Sequence, residues 1–142
     1  MAYVTLSQLQ DRYGDALLVS LTDRAEVPTG AVDTDVVDRA IADASAQIDG
    51  YLAARYALPM ASVPALLVDL AAALTIWKLH LYDPPQKMRD DRDGALKMLE
   101  NIARGVVTLE IAGVEPEGSG TGGVQITDRE RPLTADNLKG FI

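Results

Sequence analysis

Apolar residues recur at spacings of three and four along residues 5–104, which is the pattern of amphipathic helices. Two short helices are predicted over residues 5–24, with Thr5 as the first N-cap and Gly14 as the break between them. The stretch that follows contains Pro, Gly and Thr together with acidic residues, and we interpret it as a solvated loop leading into a helix N-terminus. Its carboxylates lack the spacing of a helix–loop–helix calcium site.

Residues 35–56 carry the clearest amphipathic pattern and predict a long helix with Thr34 as its N-cap. Asp35 stands four residues before Arg39, which is the favourable order for a surface ion pair. Gly50 lies inside this helix, where it costs about 1 kcal/mol relative to Ala. We therefore expect a second helix to approach closely at Gly50 and offset that cost.

Residues 65–82, "ALLVDLAAALTIWKLHLY", are apolar on nearly every face and predict the central helix of the fold. Pro64 suits the first turn of this helix, and the "DPP" that follows ends it. Such a helix is covered on several sides, by its own chain or by neighbouring subunits. Asp69, Lys78 and His80 interrupt the apolar run and argue against a membrane span.

Residues 86–104 predict a further amphipathic helix that ends at Gly105, a favourable C-cap. Its apolar stripe comprises Met88, Ala95, Leu99 and Ile102. Ion pairs at i,i+4 spacing are expected on its other faces, at Asp93–Lys97 and Glu100–Arg104. The next stretch, "VVTLEIAG" at residues 106–113, predicts a short strand that cannot stand alone and needs a pairing partner.

The predicted fold class is mainly α: a bundle of four to five helices with a short β element and an extended C-terminal arm. Its parts are a helical domain over residues 1–112, a Gly-rich linker over residues 113–123 and a docking arm over residues 124–142. In the arm, Thr134 can cap a short helical motif and Phe141 supplies an apolar anchor. Such a motif gains order by docking on a partner, and its linker reaches roughly 16 Å. The alternative is an ordinary disordered terminus.

The charge balance narrows the class of partner. The 142 residues include 13 basic and 21 acidic side chains, a net charge of −8. A chain this acidic is unsuited to wrapping DNA, which needs clustered Lys and Arg, but it can line a passage that repels DNA. The absence of cysteine excludes disulfides and thiolate zinc sites, in keeping with a reducing cytoplasm, and no signal peptide is expected at the N-terminus.

Candidate chemistry is weak throughout the sequence. His80 is the only histidine, so no pair of imidazoles exists for a metal, and a structural role within the central helix is expected. The carboxylates of "DDRD" at residues 90–93 point in different directions on a helix and indicate a solvated face. The "GSGTGG" run lacks the Lys–Ser/Thr end of a phosphate loop. We therefore predict no catalytic residue, cofactor or metal site, and favour a protein that acts by interaction.

Four segments carry a resemblance to a known family. Three are "AYVTLSQLQDRYGDALLVSLTDR", "AIADASAQIDGYLAARYALPMASVPALL" and "ALKMLENIARGVVTLEI", with "IDGYLAARYALP" at residues 48–59 as the most specific part. The fourth is the closing "RPLTADNLKGF". Together they resemble the Mu-like phage head–tail connector proteins. The arm departs from that pattern at Leu133, where an aromatic residue is common, and at Ala135, where arginine is common; this bears on its docking partner more than on the fold.

The resemblance implies a mostly helical subunit that forms a ring, expected to be dodecameric, beneath the portal of a tailed phage or prophage. Its partners would be the portal protein, a tail-side neck or completion protein and further copies of itself. DNA would pass through the ring without specific binding, and no membrane, cofactor or catalysis is implied. The expected location is the neck of the virion, after assembly from the cytoplasm of the bacterial host.

Nine residues are candidates for the protein interface, drawn from the most specific stretch, the predicted strand and the arm. They are Tyr51, Arg55, Tyr56, Val107, Leu109, Ile111, Leu133, Leu138 and Phe141. The alternative function is a free-standing helical adaptor that binds another protein through the same arm. An enzyme would need a metal or cofactor for which the residues offer no site.

Overall fold

The computed structural model describes residues 1–111, which form five α-helices and the extended segment after the last of them. The helices are α1 (Leu6–Tyr13), α2 (Asp15–Thr22), α3 (Thr34–Leu52), α4 (Ala65–Leu79) and α5 (Gln86–Arg104). The predicted mainly α-helical class is confirmed. The predicted linker over residues 113–123 and arm over residues 124–142 lie outside the described residues.

Helix α4 is the centre of the bundle, as its apolar sequence predicted. It packs between α3 and α5, which also contact each other, while α1 and α2 pack together and against α3. Eight of its fifteen residues are buried: Leu67, Leu70, Ala71, Ala72, Leu74, Thr75, Ile76 and Leu79. The chain's own α3 and α5 therefore supply the cover that the apolar pattern required.

The N-terminal ends of the helices follow from local capping chemistry. Thr5 caps α1 through a capping box, as predicted. Helix α3 is capped by Asp33 rather than Thr34, because the Asp33 carboxylate accepts the N–H groups of the first turn at 3.0 and 3.3 Å. The predicted ion pair of Asp35 with Arg39 is wrong, since Arg39 Nε donates to the Asp35 backbone carbonyl at 3.2 Å.

The loop between α2 and α3 is built on Asp23. Its carboxylate accepts hydrogen bonds from Thr29 N and Oγ1, both at 3.1 Å, and from Gly30 N at 2.9 Å. These bonds hold the pKa of Asp23 below its usual range. The next residue, Arg24, donates from Nη2 to the Leu79 carbonyl at 2.9 Å. Leu79 is the last residue of α4, which ends three residues before its predicted limit at residue 82.

Helix α5 has the predicted bounds and the predicted buried stripe, formed by Ala95, Leu99 and Ile102, with Met88 half-buried. Its predicted ion pairs, Asp93–Lys97 and Glu100–Arg104, are wrong. Lys87 pairs with Asp91 instead, at 2.6 Å, and Arg92 with Asp93, at 3.0 Å. Arg92 also stacks over Trp77 of α4, with its guanidinium carbon 4.8 Å from the ring centroid, a cation–π contact that joins the two helices.

The segment after Gly105 is extended: residues 106–110 form no β-strand, Ile111 forms a single β-bridge, and the last two residues of the strand predicted over residues 106–113 lie outside the described part of the chain. Leu109 and Ile111 are buried in the core while Thr108 and Glu110 are exposed, which is the alternation typical of a strand. The Leu109 N–H donates to a side chain, the Tyr56 hydroxyl, instead of a neighbouring strand.

None of the helices in the described part of the chain has the length and apolarity to cross a membrane. The most apolar, α4, has 15 residues and so measures about 22 Å. A hydrocarbon core of about 30 Å requires roughly 20 residues.

The close helix approach predicted at Gly50 is wrong. A Cβ atom built at Gly50 has no heavy atom within 4 Å, and the residue is exposed. The neighbouring Ile48 and Leu52 are fully buried, so the packed side of α3 faces away from Gly50. Among residues 1–111, no atom approaches Gly50 closely enough to offset its helical cost.

We expect Gly50→Ala to raise the free energy of unfolding by about 0.5–1 kcal/mol, because alanine loses less backbone entropy in a helix. Urea denaturation of the purified protein measures this change. A loss of stability would mean that the space beside Gly50 is needed within the subunit.

Candidate interaction surface at the end of α3

Six of the nine predicted interface residues lie in the described part of the chain, and the structure brings them together. They are Tyr51, Arg55 and Tyr56, at and just after the end of α3, and Val107, Leu109 and Ile111, in the segment after α5. We call this region the exit site, because the chain leaves the helical domain here. The other three, Leu133, Leu138 and Phe141, lie outside the described residues.

Tyr56 connects the two parts of the exit site, the turn after α3 and the segment after α5. Helix α3 ends at Leu52, earlier than predicted, and the N–H groups of both Arg55 and Tyr56 donate to the Leu52 carbonyl at 2.9 Å. This turn buries Tyr56, whose hydroxyl accepts the Leu109 N–H at 3.0 Å. Leu109 and Ile111 are themselves only 3% and 7% exposed. These three residues therefore hold the segment on its own subunit and would serve an interface by positioning it.

Gly105 and Arg55 fix the start of the segment. Gly105 has φ of 80°, and the Val106 N–H donates to the Asn101 carbonyl at 2.9 Å, the arrangement of a Schellman cap. The Arg55 guanidinium packs directly on this glycine, since an added Cβ would lie 2.6 Å from Arg55 Cζ. Arg55 Nε is buried without a hydrogen-bond partner among residues 1–111. The predicted C-cap is confirmed, and the contact with Arg55, fifty residues away, has no signal in the sequence.

The outer surface of the exit site is partly apolar. Val106 is 72% exposed, and Tyr51 and Val107 are half-buried beside the core. A partner would meet these side chains rather than the buried Leu109 and Ile111. Val106 was not among the predicted interface residues, although the sequence carries a signal for it: in an alternating stretch Val106 must face away from Leu109.

Negative charge concentrates on α3 and the loop before it. Residues 23–49 contain seven acidic side chains against the two basic ones of Arg24 and Arg39, a net charge of −5. The acidic residues are Asp23, Glu26, Asp33, Asp35, Asp38, Asp43 and Asp49, most of them exposed. Tyr3 donates its hydroxyl proton to Asp49, and burial together with this carboxylate raises the pKa of Tyr3. We call this region the acidic surface.

The side chains considered for catalysis or metal binding have local structural partners. His80 Nδ1 lies 2.7 Å from the Ile76 carbonyl. In the "DDRD" run, Asp90 accepts from the Gln86 amide at 2.8 Å, while Asp91 and Asp93 form the ion pairs with Lys87 and Arg92. No cluster of three His, Cys, Asp or Glu side chains suited to a metal occurs among residues 1–111.

The described residues therefore form a small five-helix domain that carries a partly apolar exit site and an acidic surface. The family model described as Bacteriophage Mu, Gp36 matches residues 3–128, and the chain therefore belongs to this family of Mu-like phage proteins. It is 33% identical to gene product J of Escherichia phage Mu over 145 residues, with 100% of both chains covered. It is also 28% identical to the Mu-like prophage FluMu protein gp36 of Haemophilus influenzae over 112 residues, 79% of each chain. The resemblance to a Mu-like phage family is confirmed.

We expect Tyr56→Phe to lower the free energy of unfolding by about 1–3 kcal/mol, because it leaves the buried Leu109 N–H without its acceptor. Hydrogen exchange at the Leu109 amide should accelerate more than exchange in α4. Tyr51→Phe is the matched control, since the Tyr51 hydroxyl makes no hydrogen bond within residues 1–111. Equal effects of the two substitutions would contradict the role given to Tyr56.

Gly105→Ala should lower the free energy of unfolding by about 1–3 kcal/mol, because alanine is strained at positive φ and its Cβ displaces the Arg55 guanidinium. Thermal and urea denaturation measure the loss. Gly94→Ala, also in α5, meets nothing within 4 Å and should stabilise the protein by about 0.5–1 kcal/mol. If both variants shift the free energy of unfolding in the same direction, the packing of Arg55 on Gly105 does not contribute significantly to stability.

Proposed function

We propose that the protein is a head–tail connector, a subunit of a ring that joins the portal to the tail and continues the DNA channel. The observation that carries the proposal is the match to the Mu-like family across the helical domain and into the C-terminal segment, with end-to-end coverage against gene product J of phage Mu. Because the similarity to gene product J extends along the whole chain, it suits a protein in which both the helical domain and the arm make contacts.

The exit site supports this role physically. Tyr56 and Arg55 give the C-terminal segment a fixed point of departure from the domain. Residues 112–142 follow, and an unstructured chain of 31 residues would have a typical reach of about 30 Å. This distance is enough to reach an adjacent subunit or the portal above it. Val106 and Tyr51 would line the surface next to that path.

The acidic surface supports a channel that DNA passes without sticking. Like charges repel, so a wall with few Lys and Arg side chains offers no counterion-releasing contacts to phosphates. In the proposed ring the exposed carboxylates of Asp35, Asp38 and Asp43 face the channel. The chain acts there as a structural part of the virion neck, without catalysis.

The proposed partners are the portal protein, a tail-side completion protein and further copies of the chain, as a dodecamer once assembled. A ring of identical subunits uses heterologous contacts, which close only at the right rotation. Binding to a preformed portal ring supplies that rotation. Before assembly the subunit resides in the host cytoplasm.

A second candidate is a free-standing adaptor that binds another protein through its arm. The observation in its favour is that the helices of its own chain already bury eight of the fifteen residues of α4, so most of the core is covered without a neighbour. An adaptor would stay a small complex, whereas a connector joins a ring of fixed mass.

We expect the full-length protein to co-elute with portal rings of the same phage or prophage in size exclusion with light scattering, as a complex of fixed mass. Removal of residues 124–142 should weaken this binding at least tenfold while leaving the helical circular dichroism almost unchanged, because the five helices end before the arm. The reference is the full-length protein measured at the same concentration. A full-length protein that stays small beside portal rings would favour the adaptor instead.

A further inference from the structure

A groove of about 570 Å³ lies between the C-terminal end of α1, the first half of α4 and the middle of α5. Its apolar lining consists of Leu66, Leu70, Ala73, Ala95 and Met98. Leu70 and Ala95 belong to the core, and the other three are only half-buried. Part of the apolar surface of α4 therefore remains open here.

Charged side chains frame the groove without closing it. Arg12 pairs with Asp69 across α1 and α4 at 2.6 Å, and Lys87 pairs with Asp91 within α5. Asp90 adds a third carboxylate, which pairs with no basic side chain among residues 1–111. Two basic and three acidic side chains give the rim a net charge of −1.

Gly94 makes one wall of the groove accessible to a second chain. A Cβ built there has no heavy atom within 4 Å, and the residue is exposed on α5. An incoming side chain can therefore approach the α5 backbone more closely at Gly94 than at any larger residue.

The end of the chain has the complementary chemistry. Residues 133–141 contain three large apolar side chains, Leu133, Leu138 and Phe141, which match the apolar floor of the groove. Their net charge is zero, from Asp136 and Lys139, so the net negative rim does not repel them.

We propose that this groove is the docking site for residues 133–141 of a neighbouring copy of the chain. The proposal rests on the connector function, which places copies side by side in a ring. Tyr56 holds the departing segment against the end of α3, whereas α1, α4 and α5 build the groove without α3. Ile111 and Leu133 are separated by 22 peptide bonds, and an unstructured chain of that length has a typical reach of about 26 Å, which allows contact with an adjacent copy.

The absence of cysteine makes disulfide trapping a direct test, because every thiol is then an introduced one. Gly94→Cys marks the groove, and Asn137→Cys marks the arm while keeping its three apolar side chains. The two full-length single variants are mixed and oxidised, alone and on portal rings. We expect on the order of tenfold more cross-linked heterodimer than with Ala42→Cys, an exposed position on α3 outside the groove, as the matched partner of Asn137→Cys.

Adding Leu138→Asp to the Asn137→Cys protein should reduce the cross-link to the Ala42→Cys level. Equal yields from the Gly94→Cys and Ala42→Cys mixtures would overturn the proposal. A double variant, Gly94→Cys with Asn137→Cys, that cross-links within one chain at high dilution would show that each arm fills its own groove, which also overturns it.

Light scattering on the same samples separates this inference from the connector function. Portal rings that bind the protein without a groove cross-link would refute the docking site and leave the connector role standing. A groove cross-link between copies that ignore the portal would support the docking site and contradict the connector role.

Discussion

The burial of α4 is the constraint on which the rest of the fold depends. A helix that is apolar on nearly all sides loses stability wherever it meets water, at about 25 cal/mol for each Å² of apolar surface. Here α3 and α5 lie along it, and the cover satisfies most of that demand within one chain. The remaining elements follow: α1 and α2 pack against α3, and Arg24 binds the carbonyl end of α4.

Because the core is closed, the features left for function lie on the surface and at the end of the chain. The exit site combines a buried anchor, Tyr56 with Leu109, and an exposed apolar neighbour, Val106. The acidic surface lies on α3 and the preceding loop, and the groove lies among α1, α4 and α5. One small domain thus presents three chemically different surfaces.

The sequence predicted the helices well, since their signals are local: the apolar periodicity, the Thr5 capping box and the Gly105 C-cap all act within a few residues. It failed where tertiary contacts decide. Gly50 proved exposed, α4 ends at Leu79, where Arg24 binds its last carbonyl, and residues 106–110 are extended without forming a strand. For the candidate site, the sequence selected Arg55 and Tyr56 through a family resemblance, but their bonds to residues fifty positions away carry no local pattern.

The hydrogen bond between Leu109 and Tyr56 at the exit site also bears on how the domain responds to mechanical force. A pull on the C-terminal segment reaches Leu109 before it reaches α5, and the Tyr56 hydroxyl passes it to the end of α3. The tension is thereby shared between α3 and α5, which both pack on α4. It does not act on the last turn of α5 alone. A load applied to the C-terminal segment would thus be carried across the core.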